Sequence, residues 1–466
     1  MMRLSEAASA IPGRLAGEDR VFEAVSTDTR TLPARALFVA LKGDRHDGHD
    51  YLPLAADRQA SGAMVEAARL PIAGSGGLPL LVVENTRLAL GALAANWRRR
   101  FMFPLVALTG SNGKTTVKEM LASILREAVA VQSGIADPGG SVLATRGNLN
   151  NDIGVPLTLL ELRREQRYAV IEMGMNHAGE IRYLTGLTVP DVALVNNAAP
   201  AHIEFFASVE DIARAKGEIF EGLGAEGTAV INADDPYAGL WRGLAGSRRV
   251  VDFGIERPAA VSARYALRQL DSEIVVRLPH GEAQAVLQAP GLHNVRNALA
   301  ASAAAVALDV PAPAISQGLA RFTAVKGRLQ RKPGKRGAVL IDDTYNANPA
   351  SVHAAIGVLA QAAGEKLLVL GDMGELGGGA AGLHADIGRH AREQGITRLL
   401  ALGTLSAHTV RGFGPGARHF TRLEDLLAEV ESALAPGVTV LIKGSRFMQM
   451  ERVVRAFAVD APEGRP

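Results

Sequence analysis

The stretch LVALTGSNGKTT, residues 105–116, determines how the central part of this chain can fold. An apolar run, Leu105–Leu108, leads directly into a glycine-rich turn, and the amphipathic segment Val117–Ala128 follows as a predicted helix. Because glycine has no side chain, the backbone N–H groups of this turn can approach phosphate oxygens. The helix points the positive end of its dipole at the same place. The order strand, loop and helix therefore predicts a nucleotide-phosphate site formed by Gly110, Ser111, Asn112, Gly113, Lys114, Thr115 and Thr116.

Within this loop, Lys114 is expected to bridge terminal phosphates and Thr115 to face a Mg²⁺ ion. The general P-loop pattern has a glycine five residues before Gly113, where this chain has Leu108. The sequence thus predicts a variant loop. The alternative is an ordinary turn, since Gly-Lys-Thr also occurs by chance.

Composition limits the classes of protein that fit. A length of 466 residues suggests about three domains, and a net charge of +2 gives no basis for binding nucleic acid or an anionic membrane. The absence of cysteine excludes disulfides, zinc-thiolate sites and cysteine nucleophiles. Neither a leader peptide nor an apolar run long enough to span a membrane is recognisable. We expect a cytoplasmic protein.

Apolar runs divide the chain into three predicted α/β domains. Residues 1–83, with short strands such as Ala36–Leu41 and Ala63–Glu66, predict a small recognition domain, and a helical stretch Thr86–Phe103 leads out of it. Residues 84–318 predict a central doubly wound domain with a mostly parallel sheet. Its strands are expected at Leu105–Thr109, Tyr168–Met173, Val192–Asn196 and Ala229–Asn232.

A third series of strands follows the alanine-rich helix predicted at Val295–Leu308, after which Pro311 and Pro313 break the pattern. Residues 319–466 are predicted to form a Rossmann-like domain, although they contain no GxGxxG motif. Its strands are expected at Val339–Asp342, Lys366–Leu370, Leu399–Leu402 and Val438–Ile442.

Two polar side chains follow central strands at the edge where open α/β sheets bind ligands. Glu172 ends an otherwise apolar strand, and its carboxylate is well placed for Mg²⁺. The alternative is a carboxylate paired with a nearby arginine. His202 follows the next strand and would by itself be a surface histidine.

Lys216 lies on the apolar stripe of a helix predicted to begin after Ser208. The ordinary interpretation is a lysine that snorkels or pairs with a carboxylate. Burial lowers the pKa of an ammonium, however, and a neutral amine can add CO₂ to give a carbamate, which would act as an additional metal-binding carboxylate.

Further polar clusters lie in loops and at helix starts. The cluster Asn148, Asn150 and Asn151 either forms turns or donates to a substrate's phosphates or carboxylates. Helix capping explains Asn294, and the more specific alternative is that its side chain contacts the nucleotide. A helix capped by Ser351 is predicted after residues 342–349, and capping could account for Asn348 as well. The candidates for contact with nucleotide or substrate in these segments are Asn232, His293, Asn294, Asn297, Asp343, Tyr345, Asn346 and Asn348.

Arg328 lies in the predicted linker to the third domain, where closure of the domains could move it onto a phosphate. A solvated basic linker is the alternative.

Taken together, these residues resemble the Mur ligase family of ATP-dependent amide-forming enzymes. The loop at 109–116, Glu172, His202, Lys216, Asn232, the segment 293–297 and Arg328 occur in the family's order along the whole chain. The stretches GNLNNDIGVP (147–156), DDTYNANP (342–349) and GDMGELG (371–377) are similar to those of the members that add D-alanyl-D-alanine to UDP-N-acetylmuramoyl-tripeptide.

The resemblance implies ATP as phosphoryl donor, and Lys114, Glu172, His202, Lys216 and Arg328 as catalytic residues. It also implies two Mg²⁺ ions, one held by Thr115 and Glu172 and the other by His202 and carbamylated Lys216. In the first domain it implies binding of the UDP-sugar end of the tripeptide substrate. The residues that match there are Ser26, Asp28, Arg30, Lys42 and Asp47.

Three alternatives remain at this point. Another Mur-type ligase or folylpolyglutamate synthetase shares the loop, acid and carbamate chemistry, although the first domain argues against the latter. A P-loop ATPase without an amine acceptor belongs to a different class. The sequence favours a monomer but does not distinguish diaminopimelate from lysine as the third residue of the tripeptide.

Overall fold

The computed structural model describes residues 1–70, 76–134, 140–200, 203–268 and 271–459. Helices and strands alternate through most of this part of the chain, and the larger sheets are parallel or mostly parallel. The predicted α/β class is therefore confirmed. No helix in the described ranges is long and apolar enough to cross a membrane.

The first part of the chain forms a five-stranded sheet in the order β2-β7-β6-β5-β4, in which only the β2–β7 pair is antiparallel. β1 pairs with β3 in a separate two-stranded ribbon. The elements are β1 Met2–Arg3, α1 Leu4–Ala10, β2 Gly13–Ala16, β3 Val21–Phe22, β4 Ala24–Ser26, β5 Ala36–Val39, α2 Leu52–Asp57, β6 Gly62–Glu66 and β7 Leu80–Val83.

The central part is built on a six-stranded, entirely parallel sheet in the order β13-β12-β11-β8-β10-β9. A three-stranded antiparallel sheet, β14-β15-β16, is attached to it. The elements are α3 Thr86–Arg98, β8 Leu105–Thr109, α4 Lys114–Ser133, β9 Val142–Ala144, α5 Gly154–Leu160, β10 Tyr168–Glu172, α6 Glu180–Thr188, β11 Val192–Val195, α7 Val209–Gly217, β12 Thr228–Asn232, α8 Ala238–Ala245, β13 Arg249–Phe253, β14 Ser262–Leu267, β15 Ser272–Leu278, β16 Gly281–Leu287, α9 Leu292–Ala307 and α10 Ala312–Arg321.

Strand β8 shows why this sheet is buried on both sides. Successive side chains of a strand point to opposite faces. Leu105 and Ala107 join the core that also contains α3, α5 and α6, whereas Val106 and Leu108 join the core with α4, α9 and α10. An unbroken apolar run is therefore required at this position, and it delivers Thr109 to the carboxyl edge of the sheet.

The last part forms a second six-stranded sheet, in the order β17-β18-β22-β19-β20-β21, with β17 antiparallel to the others. Helices cover both faces. The elements are β17 Gln330–Pro333, β18 Val339–Asp343, α11 Pro349–Ala360, β19 Glu365–Gly371, α12 Ala380–Glu393, β20 Arg398–Leu402, α13 Ser406–Phe413, β21 Ala417–Phe420, α14 Leu423–Ala433, β22 Val438–Lys443 and α15 Glu451–Phe457.

The eight strands predicted for the central and last parts all exist, with ends shifted by no more than one residue. The prediction of helix to Phe103 was wrong, because α3 ends at Arg98. The antiparallel sheet and α10 were not predicted. The division into domains at 83/84 and 318/319 remains a prediction, and residues 318–319 lie inside α10.

Gly318 allows α10 to pack closely against α4. A Cβ atom at this position would lie 2.3 Å from Ile124 Cα and 2.6 Å from Ile124 N, which are backbone atoms that cannot rotate away. We expect Gly318→Ala to lower the free energy of unfolding by about 1–3 kcal/mol, as overpacking of a core does. Thermal or urea unfolding measures this change.

Gly186→Ala in α6 is the matched control, because a Cβ atom there has open space around it. This variant should be neutral or slightly more stable, since alanine favours a helix interior over glycine. Equal stability of the two variants would contradict the close packing of α10 on α4.

Candidate functional site

A cleft of about 1480 Å³ opens at the carboxyl edge of the central sheet and is closed from the other side by the last part of the chain. Glu172, Asn196 and Asn232 follow or end three of the central strands and line it. Asp343 and Lys443 face it from the second six-stranded sheet. Ligand-facing strand ends of both sheets thus meet in one space.

The glycine-rich loop has the backbone that the sequence predicts. Gly113 has a φ of 79° and directly precedes α4. A Cβ atom there would lie 2.2 Å from Asn297 Oδ1 and 2.7 Å from Asn196 Nδ2. Glycine is therefore required both by the left-handed backbone and by the two asparagines that pack against it.

Lys114 folds back over the loop, and its Nζ atom donates to Gly110 O at 2.7 Å. Burial lowers the pKa of this ammonium, Glu172 opposes the shift, and Arg328 adds to it. Backbone carbonyl oxygens hold the Lys114 ammonium in this position. Phosphate oxygens could take their place as its hydrogen-bond partners.

A chain of hydrogen bonds joins four separate segments at Thr115. Thr115 Oγ1 donates to Glu172 Oε2 at 2.9 Å, and Arg328 Nη2 donates to the same hydroxyl at 2.9 Å. Asn150 Nδ2 donates to the other carboxylate oxygen, Glu172 Oε1, at 2.8 Å. Arg328, expected to reach the loop on domain closure, already contacts it in this structure.

The three asparagines of the 147–156 segment have different surroundings. Asn150 points at Glu172, as described above. Asn151 Oδ1 accepts from Gly154 N at 2.9 Å and so supports the start of α5. Asn148 lines the cleft beside them. The turn-forming and ligand-facing interpretations of this cluster both apply, to different residues.

Lys216 lies on α7, which begins after the capping residue Ser208 as predicted. Its side chain is buried but lines the cleft. Burial lowers its pKa well below the ordinary value, and the charge of Lys114 adds to that shift. Among the residues described, its amine has no hydrogen-bond or ion-pair partner, which argues against the paired lysine of the ordinary interpretation. His202 lies outside the described residues.

Asparagine side chains support the loop from behind. Asn196 Nδ2 donates to Asn112 O at 2.9 Å and to Asn297 Oδ1 at 3.1 Å. Asn232 Nδ2 donates to Asn196 O at 2.9 Å. Asn297 Nδ2 in turn donates to Asn294 Oδ1 at 3.1 Å. Several predicted site residues thus form one network.

The prediction that Asn294 caps a helix was wrong. Gly291 precedes α9 at the capping position, while Asn294 lies inside the first turn and donates to Pro290 O at 2.9 Å. His293 also lies in this first turn and faces the cleft.

In the last part of the chain, Asp343 is buried against Lys443, with Nζ 2.6 Å from Oδ2. The guanidinium of Arg328 lies 4.2 Å from the centre of the Tyr345 ring. Asn346 Oδ1 accepts from Ala347 N at 2.9 Å, which holds this loop.

Of the two residues that capping could explain at the start of α11, the cap is Asn348, and the prediction of Ser351 as the cap was wrong. Asn348 is the capping residue, and Ser351 forms the reciprocal hydrogen bond three residues later. Asn348 Nδ2 also donates to Asn112 Oδ1 at 2.9 Å, so this cap connects the second large sheet to the nucleotide loop.

The five candidates in the first part of the chain lie apart from the cleft. Asp28 and Arg30 form a bidentate ion pair beside Ser26. Lys42 is bridged to Asp47 through the backbone. The Asp47 carboxylate pairs with His49 Nδ1 at 2.6 Å and with Arg69, so it supports its own loop.

Asn196, Asn197 and Lys443 were not among the predicted site residues. Each lies at the end of an apolar strand or within two residues after it, and a position at a strand end is the signal that selected Glu172. The same rule applied to every strand would have found them. Among the described residues, no cluster of three or more histidine, aspartate or glutamate side chains could by itself hold a metal ion.

Three family profiles match consecutive parts of the chain. The profile of the Mur ligase family catalytic domain matches residues 21–98, that of the Mur ligase middle domain matches residues 108–305, and that of the Mur ligase glutamate ligase domain matches residues 327–446.

Relatives and solved structures extend over nearly the whole chain. The UDP-N-acetylmuramoyl-tripeptide–D-alanyl-D-alanine ligase of Escherichia coli is 43% identical, and the match covers 97% of each chain. A UDP-N-acetylmuramoylalanyl-D-glutamyl-2,6-diaminopimelate–D-alanyl-D-alanyl ligase from Acinetobacter baumannii is 36% identical with a TM-score of 0.84, covering 97% of this chain and 96% of that one. A MurF ligase from Thermotoga maritima in complex with ADP is 25% identical with a TM-score of 0.79, covering 93% and 96%.

His293 links the site to the pH dependence of stability. Its environment lowers the pKa from 6.5 to about 4, first through burial and then through the charges of Lys443 and Arg296. The folded state therefore disfavours the protonated imidazole. Stability is complete above pH 6.5 and decreases as the pH falls towards 4, with at most about 2 kcal/mol lost at pH 5.

His293→Gln should remove this component of the pH dependence, because glutamine does not titrate. The measurement is unfolding of both proteins at pH 8 and pH 5. The value at pH 8 is the internal control, since imidazole is neutral there in both states. Parallel losses in the two proteins on acidification would contradict the assignment.

Proposed function

The chain belongs to the Mur ligase family, and from this we propose that it joins D-alanyl-D-alanine to UDP-N-acetylmuramoyl-tripeptide at the expense of ATP, in peptidoglycan precursor synthesis. The observation that carries this proposal is the full-length similarity to the Escherichia coli ligase of that name. The ADP complex of the Thermotoga relative supports the nucleotide.

A carboxylate does not react with an amine directly, because its leaving group is poor. Transfer of the γ-phosphoryl group from ATP to a carboxylate oxygen of the tripeptide gives an acyl phosphate and ADP. The free amine of D-alanyl-D-alanine then attacks the acyl carbon, phosphate leaves, and the nitrogen loses a proton. Catalysis of this sequence consists mainly of positioning and neutralisation of charge.

The nucleotide loop supplies the first part of that neutralisation. The backbone N–H groups at the start of α4 face the phosphates, and Lys114 exchanges its contact with Gly110 O for phosphate oxygens. Arg328, next to Thr115, adds a second positive charge from the far side of the cleft. Asn232, His293, Asn294 and Asn297 line the cleft where the remainder of the nucleotide lies.

The residues around Glu172 fit a Mg²⁺ ion. The Thr115 hydroxyl and the Glu172 carboxylate lie 2.9 Å apart, and one or two protein oxygen ligands together with substrate phosphates are the usual set for this ion. Bound there, Mg²⁺ would neutralise phosphate charge. Thr115 and Glu172 orient it, and Asn150 fixes the carboxylate.

Lys216 is proposed to carry a carbamate. It is a buried amine in the cleft with a lowered pKa, and CO₂ adds only to an uncharged amine. The product would provide an anionic oxygen ligand, with His202, for a second Mg²⁺ ion, which would supply positive charge near the reacting groups.

The roles of the remaining residues are proposed from their positions in the structure. Asn148, Asn151, Tyr345, Asn346 and Asn348 line the cleft where the two peptides must meet, and Asp343 orients Lys443 there. Binding of the UDP-sugar end by the first part of the chain remains a prediction. A monomer and a cytoplasmic location likewise remain predictions.

Phosphate release from ATP should require both UDP-tripeptide and D-alanyl-D-alanine. The acyl phosphate forms only on a bound carboxylate, and the amine is needed to discharge it. The experiment follows phosphate release with each substrate omitted in turn, and identifies the UDP-pentapeptide by mass. Lys114→Ala should reduce turnover by several orders of magnitude.

Steady phosphate release at the same rate without the dipeptide would instead support an ATPase. Near-normal turnover of Lys114→Ala would show that the phosphate loop is assigned incorrectly.

Lys216 can be tested by labelling with ¹³C-bicarbonate. The protein should show a carbamate carbonyl signal by NMR that is absent in Lys216→Ala, and this variant should be almost inactive. Added formate or acetate should restore part of its activity, because a small acid can take the place of the missing carboxylate.

Lys118 provides the matched control. It is equally buried, but its ammonium is bound to Thr145 O and paired with Glu119 at 2.7 Å. Lys118→Arg should therefore retain the carbamate signal. A signal that persists in Lys216→Ala would refute the assignment and leave the ligase proposal intact.

A further inference from the structure

We propose that Arg87, Asp152 and Tyr183 form the subsite that selects the third residue of the tripeptide, and that this subsite takes a side chain ending in both an ammonium and a carboxylate group. This inference rests on the proposed function, since it concerns the same substrate.

The centre of the subsite is an ion pair between two segments that are far apart in sequence. Arg87 begins α3 and Asp152 lies in the loop before α5. Arg87 Nη2 donates to Asp152 Oδ1 at 2.9 Å, and Arg87 Nε pairs with Asp152 Oδ2. Both residues line the cleft, and their side chains are 54% and 34% exposed. The pair is thus open to a ligand.

Tyr183 on α6 forms the third side. Its hydroxyl lies 2.1 Å from where a Cβ atom of Gly91 would be, one helical turn after Arg87 on α3. Burial and the charge of Asp152 raise the pKa of this phenol, and the charge of Arg87 opposes the shift. The phenol therefore interacts electrostatically with both members of the ion pair. The hydroxyl has no hydrogen-bond partner among the described residues.

The distance to the reacting centre suits a side chain of this kind. Asp152 is two residues from Asn150, which contacts Glu172, so the two backbone positions are separated by no more than about 7 Å. In diaminopimelate, three methylene groups separate the distal amino acid group from the main chain, or about 5 Å when extended. Leu88, which lines the cleft and is 62% exposed, offers these methylenes an apolar surface.

The charges then distinguish the two candidate side chains. A guanidinium binds a carboxylate through two parallel hydrogen bonds, and a carboxylate binds an ammonium. The distal end of diaminopimelate can therefore bind Arg87 and Asp152 together, with the Tyr183 hydroxyl as a further partner. Lysine offers only the ammonium and leaves Arg87 without a new partner. The ligase from Acinetobacter baumannii, whose description names diaminopimelate, is consistent with this preference.

The experiment compares two substrates in the intact enzyme. UDP-tripeptides ending in meso-diaminopimelate and in L-lysine are assayed with D-alanyl-D-alanine and ATP. We expect kcat/KM to be about 10-fold to 100-fold higher for the diaminopimelate substrate, as for hydrogen bonds to charged groups. Arg87→Gln should bring the ratio close to one, because it should raise KM for diaminopimelate much more than KM for lysine.

The lysine substrate controls for structural damage, because a variant that only perturbs the fold should affect both substrates. Arg264→Gln is the matched control, since Arg264 forms a similarly exposed ion pair with Glu282 on the antiparallel sheet. It should leave the ratio unchanged. Tyr183→Phe should also lower the ratio, because it removes a hydroxyl that is proposed to bind the distal end of diaminopimelate.

Equal kcat/KM for the two substrates in the unmodified enzyme, or a preference for lysine, would overturn this inference and leave the ligase function standing. An unaltered ratio in a folded Arg87→Gln would overturn it as well. Turnover of neither substrate would refute the proposed function and this subsite together.

Discussion

The hydrogen bond between Thr115 and Glu172 is the interaction on which the site depends. Glu172 is only 2% exposed, and a carboxylate buried to that extent is costly unless its oxygens are bonded. Thr115 satisfies one oxygen and Asn150 the other, while Arg328 donates to the same threonine hydroxyl. The nucleotide loop, strand β10, the loop before α5 and the segment before β17 therefore have to come together. Loss of the contact from Thr115 or from Asn150 leaves an oxygen of the buried Glu172 carboxylate unpaired, which is why these contacts act as a unit.

Two lysines line the same cleft, and their surroundings act differently on their protonation. Lys114 and Lys216 each have a lowered pKa, and their mutual repulsion contributes to the shift at Lys216. Both amines are buried and disfavour protonation, but the groups around them differ. Lys114 is held by carbonyl oxygens and Glu172 favours its charged form, whereas Lys216 has no such partner within the described part of the chain. Glu172 thus limits the lowering of the pKa at Lys114, which faces the phosphates, whereas both causes at Lys216 lower the pKa, and addition of CO₂ requires a neutral amine there.

Local pattern was sufficient to predict the strands and the nucleotide loop. An apolar run followed by glycine and then by apolar residues at helical spacing is enough to predict a strand, a loop and a helix. Residues Leu105–Ala128 have this pattern, and the structure has these elements there. Contacts between distant segments have no such signal. Nothing near Asn196 indicates that it supports Asn112, and Lys443 is recognisable only as a polar residue at a strand end. The choice of Ser351 over Asn348 as the cap of α11 has a different origin, because the two residues bond reciprocally at the start of the helix and both are residue types that cap helices.

Asparagine, rather than aspartate, surrounds the nucleotide loop for a reason that follows from its chemistry. A carboxamide both donates and accepts, so Asn297 accepts from Asn196 through Oδ1 and donates to Asn294 through Nδ2. Carboxylates in the same positions could only accept, and they would repel one another and the phosphates alike. The neutral network also adds no negative charge beside Lys114 and Arg328, on which the carboxylates of Glu172 and Asp343 act, respectively. Asn348 extends this network to α11, so the contact that orders the loop also joins the two large sheets. Preorganisation of the phosphate site and closure of the cleft are therefore consequences of the same set of amides.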